Sequence, residues 1–291
     1  MPLKIAVASG KGGTGKTTVS LQLYRAIKKY WTSSVQLADC DVEEPNDLIF
    51  FPSAENISSE KVYQLIPEIN REACTYCGKC QEYCEFNAIV IIPPVEFAEV
   101  TPELCHSCGA CSHACEFDAI REIPHQIGNI NTYSLNGNDY PDLIEGKLKI
   151  GSPMQTLLIR NLKKKVNKEA EVILYDAPPG TSCPVVATIN DADYVVLVTE
   201  PTPFGLHDLK LTIEVIKEMD KKFGVFINKD GVGSDDTQEF LNSKNFEILG
   251  RFPFNRTFAA DYARAEVMEN IPEEIESVFK NLAEKIRAKL S

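Results

Sequence analysis

The sequence predicts an α/β fold, a mainly parallel sheet with helices on both faces, interrupted by a small α+β insert. Three observations predict it. Apolar strand-like runs alternate with helical patterns at both ends of the 291-residue chain, the arrangement that builds parallel sheets through helical crossovers. A glycine-rich loop at residues 10–17 separates the first strand from the first helix. Between the two α/β stretches a cysteine pattern is written twice, and the alternation stops until it has passed.

Each element follows from local pattern. Residues 3–9 are a short apolar run, and residues 16–30 carry Val19, Leu23, Ala26 and Ile27 at helical spacing. Residues 35–38 form a second strand ending in Asp39-Cys40-Asp41, after which Pro45, Pro52 and Pro67 break the pattern. Residues 128–151 are rich in Gly and Asn and predict short strands or loops. Regular alternation then returns: a helix near 153–168, strands 171–176 and 193–199, a helix over 206–222, strand 223–228, a short helix near 236–243 and strand 246–252. Helices near 256–268 and 272–290 complete the chain. The last has Ile275, Val278, Phe279, Leu282 and Ile286 on one face and an acidic start, which predicts docking on the fold rather than on a membrane. Residues 1–59 and 126–291 thus form one parent unit and residues 60–125 the insert. The ends of the insert must emerge close together for the parent sheet to close around it.

The loop Gly10-Lys11-Gly12-Gly13-Thr14-Gly15-Lys16-Thr17 matches G-x-x-x-x-G-K-[ST] between a strand and a helix. Its backbone N–H groups, from Gly12 through Thr18, and the helix N-terminus suit phosphate oxygens. Lys16 is expected on the β- and γ-phosphates, and the Thr17 hydroxyl on Mg²⁺. The early lysine in Lys11-Gly12-Gly13-Thr14-Gly15-Lys16-Thr17-Thr18 resembles the deviant Walker A loop of the MinD/ParA/Mrp and nitrogenase iron-protein ATPases, the SIMIBI class of P-loop NTPases. The resemblance implies a homodimer with ATP sandwiched at its interface, Lys11 reaching the partner's phosphates. It implies that Asp41 of Asp39-Cys40-Asp41 positions the attacking water, while Asp39 supports the Mg²⁺ shell. Asp176, before Ala177-Pro178-Pro179-Gly180, resembles the switch II aspartate that holds Mg²⁺ through water, with Gly180 sensing the γ-phosphate. Asn228 resembles the adenine-contacting asparagine, and Arg251, Pro253 and Phe254 are expected to wall the base pocket.

The first cysteine motif is Cys74, Cys77, Cys80, Cys84 and the second is Cys105, Cys108, Cys111, Cys115, each C-x2-C-x2-C-x3-C and 31 positions apart. Such spacing in a reduced compartment predicts metal rather than disulfides, and a tetrahedral zinc site has no use for the third equally spaced cysteine. The pattern resembles a two-cluster bacterial ferredoxin, in which the fourth cysteine of each motif serves the other cluster. The resemblance implies one [4Fe–4S] cluster on Cys74, Cys77, Cys80 and Cys115 and a second on Cys84, Cys105, Cys108 and Cys111. Where that family has proline after the fourth cysteine, this chain has Glu85 and Glu116. Their charges are expected to lower the reduction potentials. Cys40 and Cys183 read as small buried residues, His106 and His113 as surface or hydrogen-bonding groups, and Lys163, Lys164 and Lys165 as a solvated helix end.

The net charge of −12 argues against nucleic acid or an anionic membrane as partner. No apolar run approaches a membrane span, and Met-Pro-Leu-Lys-Ile leads directly into a strand, so a cytoplasmic protein is expected. Residues 60–125 hold four Lys or Arg against eleven Asp or Glu, which predicts a redox partner with a basic docking face. The leading function is an Mg²⁺-dependent ATPase whose nucleotide state gates electron transfer through the two clusters. Two alternatives stand beside it: an iron–sulfur carrier of the Mrp type, and a MinD/ParA-like spatial organiser with a redox sensor.

Overall fold

A computed structural model describes residues 1–135, 137, 140–269 and 271–290. In chain order the elements begin with β1 (Leu3–Ala8), α1 (Lys16–Tyr30), β2 (Val35–Asp39) and β3 (Glu55–Ile69). The cysteine region contributes α2 (Lys79–Glu82), β4 (Ile89–Ile92), β5 (Phe97–Val100) and α3 (Ala110–Ala114). Then follow β6 (Ile120–Ser134), β7 (Leu143–Leu148), α4 (Gln155–Lys165), β8 (Val172–Asp176), α5 (Cys183–Ile189), β9 (Tyr194–Thr199) and α6 (Pro203–Glu218). The chain ends with β10 (Phe223–Asp230), α7 (Asp236–Ser243), β11 (Ile248–Pro253), α8 (Arg256–Ala263) and α9 (Glu273–Leu290).

The main sheet has nine strands in the order β11-β10-β9-β1-β8-β2-β7-β6-β3. Pairing is parallel from β11 through β7, then antiparallel for β6 and β3. Alternating residues of the central strands face opposite ways, as a period of two requires. Ile5 and Val7 of β1 therefore join a core with α1, α8 and α9, including Val19, Ile27, Phe258, Phe279 and Ile286. Ala6 and Ala8 join the core of the other face, with Leu158, Leu162, Val185, Ile213 and Leu241 from α4 to α7. The apolar face of α9 is thus buried on the fold, as its pattern predicts. No helix among the described residues is long and apolar enough to cross a membrane.

The insert is not joined by loops. β3 and β6 are fifteen-residue strands that pair from Glu55↔Ser134 to Ile69↔Ile120. β7 pairs only with residues 128–133 of β6, so the rest of the ribbon runs past the sheet and carries the cysteine region at its far end. A register shift between Val62 and Tyr63 lies where β7 stops, opposite Gly128 and Gln126. Such bulges bend a strand and sharpen its twist. The residues that read as short strands or loops over 128–151 supply the end of β6 and all of β7; positions 136, 138 and 139 lie outside the described residues.

Around the cysteines the backbone repeats with the sequence. Tyr76 and Ser107 (φ 54° and 56°), Gly78 and Gly109 (82° and 73°), and Asn87 and Asp118 (53° and 49°) are three left-handed pairs, each 31 residues apart. Left-handed conformation in bulky Tyr76 is costly and persists only where surroundings impose it. Two small cores hold the region, one with Cys80, Ile89, Ile91, Ala98 and Cys111, the other with Ile66, Ala88 and Cys105.

Candidate functional site

β1 ends in the glycine-rich loop at the middle of the sheet, where neighbouring crossovers diverge to opposite sides and leave a crevice beyond the strand ends. A cavity of about 370 Å³ opens there. Residues 11–18, Asp41, Asn228, Pro253 and Phe254 line it. Gly15 sits at φ +86°, and a Cβ there would stand 2.0 Å from Asn228 Nδ2, so neither its conformation nor its surroundings admit a side chain. Asn228 Nδ2 donates to the Thr14 carbonyl at 2.7 Å and braces the loop from β10. The Thr14 hydroxyl is buried and has no protein partner. That suits a ligand oxygen.

The loop's two lysines are both engaged. Lys16 Nζ donates to Asp176 Oδ1 at 2.7 Å. Thr17 and Ser20 hydroxyls donate to the same carboxylate at 2.9 and 2.6 Å. Burial alone would lower the Lys16 pKa, but the charge and hydrogen bond of Asp176 raise it above its ordinary value. Lys11 Nζ donates to Glu200 Oε1 at 2.6 Å. Lys229, in a left-handed conformation at φ 53°, donates to Glu200 Oε2 at 2.9 Å and to the Gly13 carbonyl at 2.6 Å. Burial pushes the Glu200 carboxyl up, but hydrogen bonds from Lys11 and Lys229 outweigh it and hold the group below its usual value.

Asp39 lies beneath the cavity and accepts backbone N–H bonds from Asp41, Asn46 and Asp47 at 3.0, 2.9 and 3.1 Å. Those bonds fold the segment after β2 back over the strand end. Burial and the nearby Asp176 charge push the Asp39 carboxyl up to about 8. Burial also pushes Asp41 up to about 6. Asp39, Asp47 and Asp176 bring carboxylate oxygens within 4.8 Å of one another. Gly180 donates its N–H to the Ser9 carbonyl at 2.9 Å.

Three expectations are corrected here. Arg251 does not wall the cavity. It reaches toward Asp230 at 3.7 Å and borders a separate shallow depression with α9, one residue short of Phe252, Pro253 and Phe254 at the strand end, which do line the cavity. Phe258, Ala259 and Tyr262 of α8 complete the apolar wall instead. Lys163 is no solvated helix end. It donates to the Ala187 and Thr188 carbonyls at 2.6 and 2.7 Å, closing the last turn of α5, and pairs with Asp191. Cys183 is exposed at the start of α5, whereas Cys40 is buried as expected.

Two small cavities occupy the far end of the ribbon. Cys74, Cys77, Cys80 and Cys115 line one; Cys84, Cys105, Cys108 and Cys111 line the other. The fourth cysteine of each motif thus lies with the first three of the other. Backbone N–H groups of Tyr76, Ala88 and Ser107 point at the sulfurs of Cys74, Cys84 and Cys105 at 3.4, 3.3 and 3.4 Å. Burial pushes the Cys80 thiol up to about 11 and raises Cys105 and Cys111. Among the described residues the carboxylate trio is the group whose ligand atoms gather as tightly as a single ion requires; the cysteine sulfurs stand wider, around space. Lys79 pairs with Glu116, offsetting that glutamate's charge. His106 stacks on Phe86 with ring centres 3.8 Å apart.

Fold and loop define a nucleotide-binding α/β domain. The family model described as the CobQ/CobB/MinD/ParA nucleotide binding domain matches residues 5–268, and the chain belongs to that family. An uncharacterized protein of Methanocaldococcus jannaschii is 32% identical over 98% of this chain and 96% of its own length. The cell division ATPase MinD of Pyrococcus furiosus shares the fold with a TM-score of 0.59 at 17% identity, covering all of both chains. The septum site-determining protein MinD of Pyrococcus horikoshii, complexed with Mg-ADP, has a TM-score of 0.56 at 16% identity, over 100% of this chain and 98% of that one.

Proposed function

We propose that the protein is an ATP-hydrolysing iron–sulfur protein whose nucleotide state controls electron transfer through two [4Fe–4S] clusters to a partner. The observation that carries it is the pair of four-cysteine cavities on a ribbon continuous with the nucleotide-binding sheet. The residues suit clusters in three respects. Each cavity has four cysteines, N–H groups face three of the sulfurs, and the buried thiols need a bound cation to ionise. Bound clusters would supply one-electron steps at potentials tuned by those hydrogen bonds and by nearby charge.

At the other end of the ribbon, Thr17, Asp39 and Asp176 would hold Mg²⁺, which neutralises phosphate charge when bound. Gly12 to Thr18 receive the phosphates, and the base lies among Asn228, Pro253, Phe254, Phe258 and Tyr262. Phosphates draw Lys16 away from Asp176. Asp41 faces the cavity, placed to orient a water. Lys11 leaves Glu200 to meet the phosphates of a second copy, giving the sandwiched homodimer. The acidic cysteine module would then present its cluster to a redox partner with a basic face, in the cytoplasm, without nucleic acid or membrane. Residues 60–125 act as the electron-transfer module and residues 1–59 and 126–291 as the ATPase.

The organiser reading has the MinD neighbours in its favour, while the apolar face of α9 is taken up by packing on the fold. The carrier reading lacks a cysteine after Cys183. Anaerobic reconstitution followed by EPR, with and without ATP, separates the three. An ATP-dependent change in potential or in the rate of partner reduction supports gating. Delivery of iron to an apo-protein supports the carrier. Unchanged clusters with ATP-driven polymerisation support the organiser, and a chain that takes up no iron sinks the proposal.

A further inference from the structure

We propose that Asp39, Asp47 and Asp176 form a divalent-cation site that fills without nucleotide, with Asp47 committed to the cation. The three carboxylates are 1%, 0% and 1% exposed, and their oxygens converge within 4.8 Å. They differ in what already satisfies them. Asp176 accepts from Lys16, Thr17 and Ser20. Asp39 accepts from three backbone N–H groups. Asp47 accepts from nothing: both of its oxygens are buried and without a hydrogen-bond partner.

Charge counting leads to the same place. A buried ion without a partner costs several kcal/mol, and buried polar atoms left unpaired are rare enough to require a reason. Among the described residues Lys16 is the lysine paired directly with the trio; with all three carboxylates ionised it would offset one of three negative charges. A divalent cation offsets the other two. Small hard ions, Mg²⁺ or Mn²⁺, are those that carboxylate oxygens select. The backbone is already arranged for it. The Asp47 N–H bonds to Asp39 at 3.1 Å and opens the 3-10 turn Asp47–Phe50, so the two carboxylates are held on one short segment.

This departs from a cation that arrives with the nucleotide on Thr17. The trio would retain its ion between turnovers, and the ion would fix the segment carrying Asp41. The inference does not need ATP hydrolysis or iron–sulfur clusters to be correct, so its failure and theirs are separable.

The test is Mn²⁺ binding to the nucleotide-free full-length chain, isolated anaerobically and read by the EPR signal of free Mn²⁺. The wild type is expected to take up about one Mn²⁺ per chain at this carboxylate site. In Asp47→Asn the affinity falls by roughly tenfold or more. Glu43→Gln, which alters an exposed carboxylate outside the trio, keeps it. Thermal melts provide the second reading. Mn²⁺ raises the Tm of the wild type and not of Asp47→Asn, whose metal-free melt shows that it is folded. Absence of nucleotide-free binding in the wild type, or equal binding by Asp47→Asn, overturns the proposal. Either result alongside intact Mg²⁺-dependent ATP hydrolysis leaves the ATPase reading standing.

Discussion

Glu200→Gln is the substitution that bears most directly on how the loop is held before a second copy arrives. In the single chain Glu200 grips Lys11 at 2.6 Å and Lys229 at 2.9 Å, with side-chain exposures of 30% for Lys11, 33% for Lys229 and 12% for Glu200. Each is a charge-assisted bond between partly buried groups, so after screening about 1 kcal/mol apiece is a fair value. A glutamine keeps the shape and loses most of the attraction. If Lys11 must leave Glu200 to enter a nucleotide sandwich, the wild type forfeits that contact once per chain, about 2 kcal/mol per dimer. The substitution should therefore tighten the ATP-dependent dimer by about 30-fold. Sedimentation equilibrium with a slowly hydrolysed ATP analogue reads this directly, and the isolated chain should lose about 1–2 kcal/mol of stability at neutral pH. The pH dependence has a definite sign. The folded-state pKa of Glu200 lies below its ordinary 4.5, so its contribution is complete above that value and disappears as pH falls through the folded value. The stability difference between wild type and Glu200→Gln should narrow in the same window. A dimer no tighter than wild type refutes the reasoning that Glu200 restrains Lys11.

Two other perturbations test the cysteine pairing and the core. Cys115→Ser should remove about half of the reconstituted iron, because Cys115 completes the cavity of Cys74, Cys77 and Cys80. Adding Cys77→Ser should then cost no further iron, whereas adding Cys108→Ser should remove the remainder. The opposite pattern would refute the crossed pairing. Phe279 is 1% exposed and packs on Phe226 and Phe252 with ring centres 5.6 Å apart in both cases. Phe279→Ala should lower stability to urea by about 3–5 kcal/mol, and a loss under 1 kcal/mol would mean that α9 is not anchored there.

The parts of the molecule that the sequence announces are those where one residue type has one use. Glycine in a left-handed loop and a strand of unbroken apolar residues each restrict the backbone strongly and are found where expected, and the repeated cysteine spacing returns as a repeated backbone conformation. The ribbon was hidden because β3 is an edge strand: Glu55, Asn56, Ser58, Ser59 and Glu60 are all exposed, so no alternation marks them, and Pro67 lies inside the strand. Arg251 was misplaced because the cavity lies beyond the end of β11, where Phe252, Pro253 and Phe254 reach it and the residue before them does not. Asp47 carries no motif, since what singles it out is burial without a partner, a property of packing. Glu200 had a weak signal. It follows β9, the parallel neighbour of β1, and the residue after that strand necessarily faces the loop.

In the proposed function the nucleotide site acts on the cysteine region, and the topology sets the path such an effect would take. That path runs across the sheet. Asp39 is in register with Glu145 of β7, and Glu145 accepts hydrogen bonds from Asn131 and Tyr133 of β6 at 3.0 and 2.9 Å. From there β6 runs, through one bulge at Ile127, to Ile120 beside the cysteine cavities. A strand paired on both sides cannot slip by one residue without turning its buried face outward. A change at Asp39 would therefore travel as a tilt of the ribbon rather than a slide. The bulge at Ile127 of β6, opposite Val62 and Tyr63 and placed where β7 ceases to support β6, is the point at which such a tilt would meet least resistance.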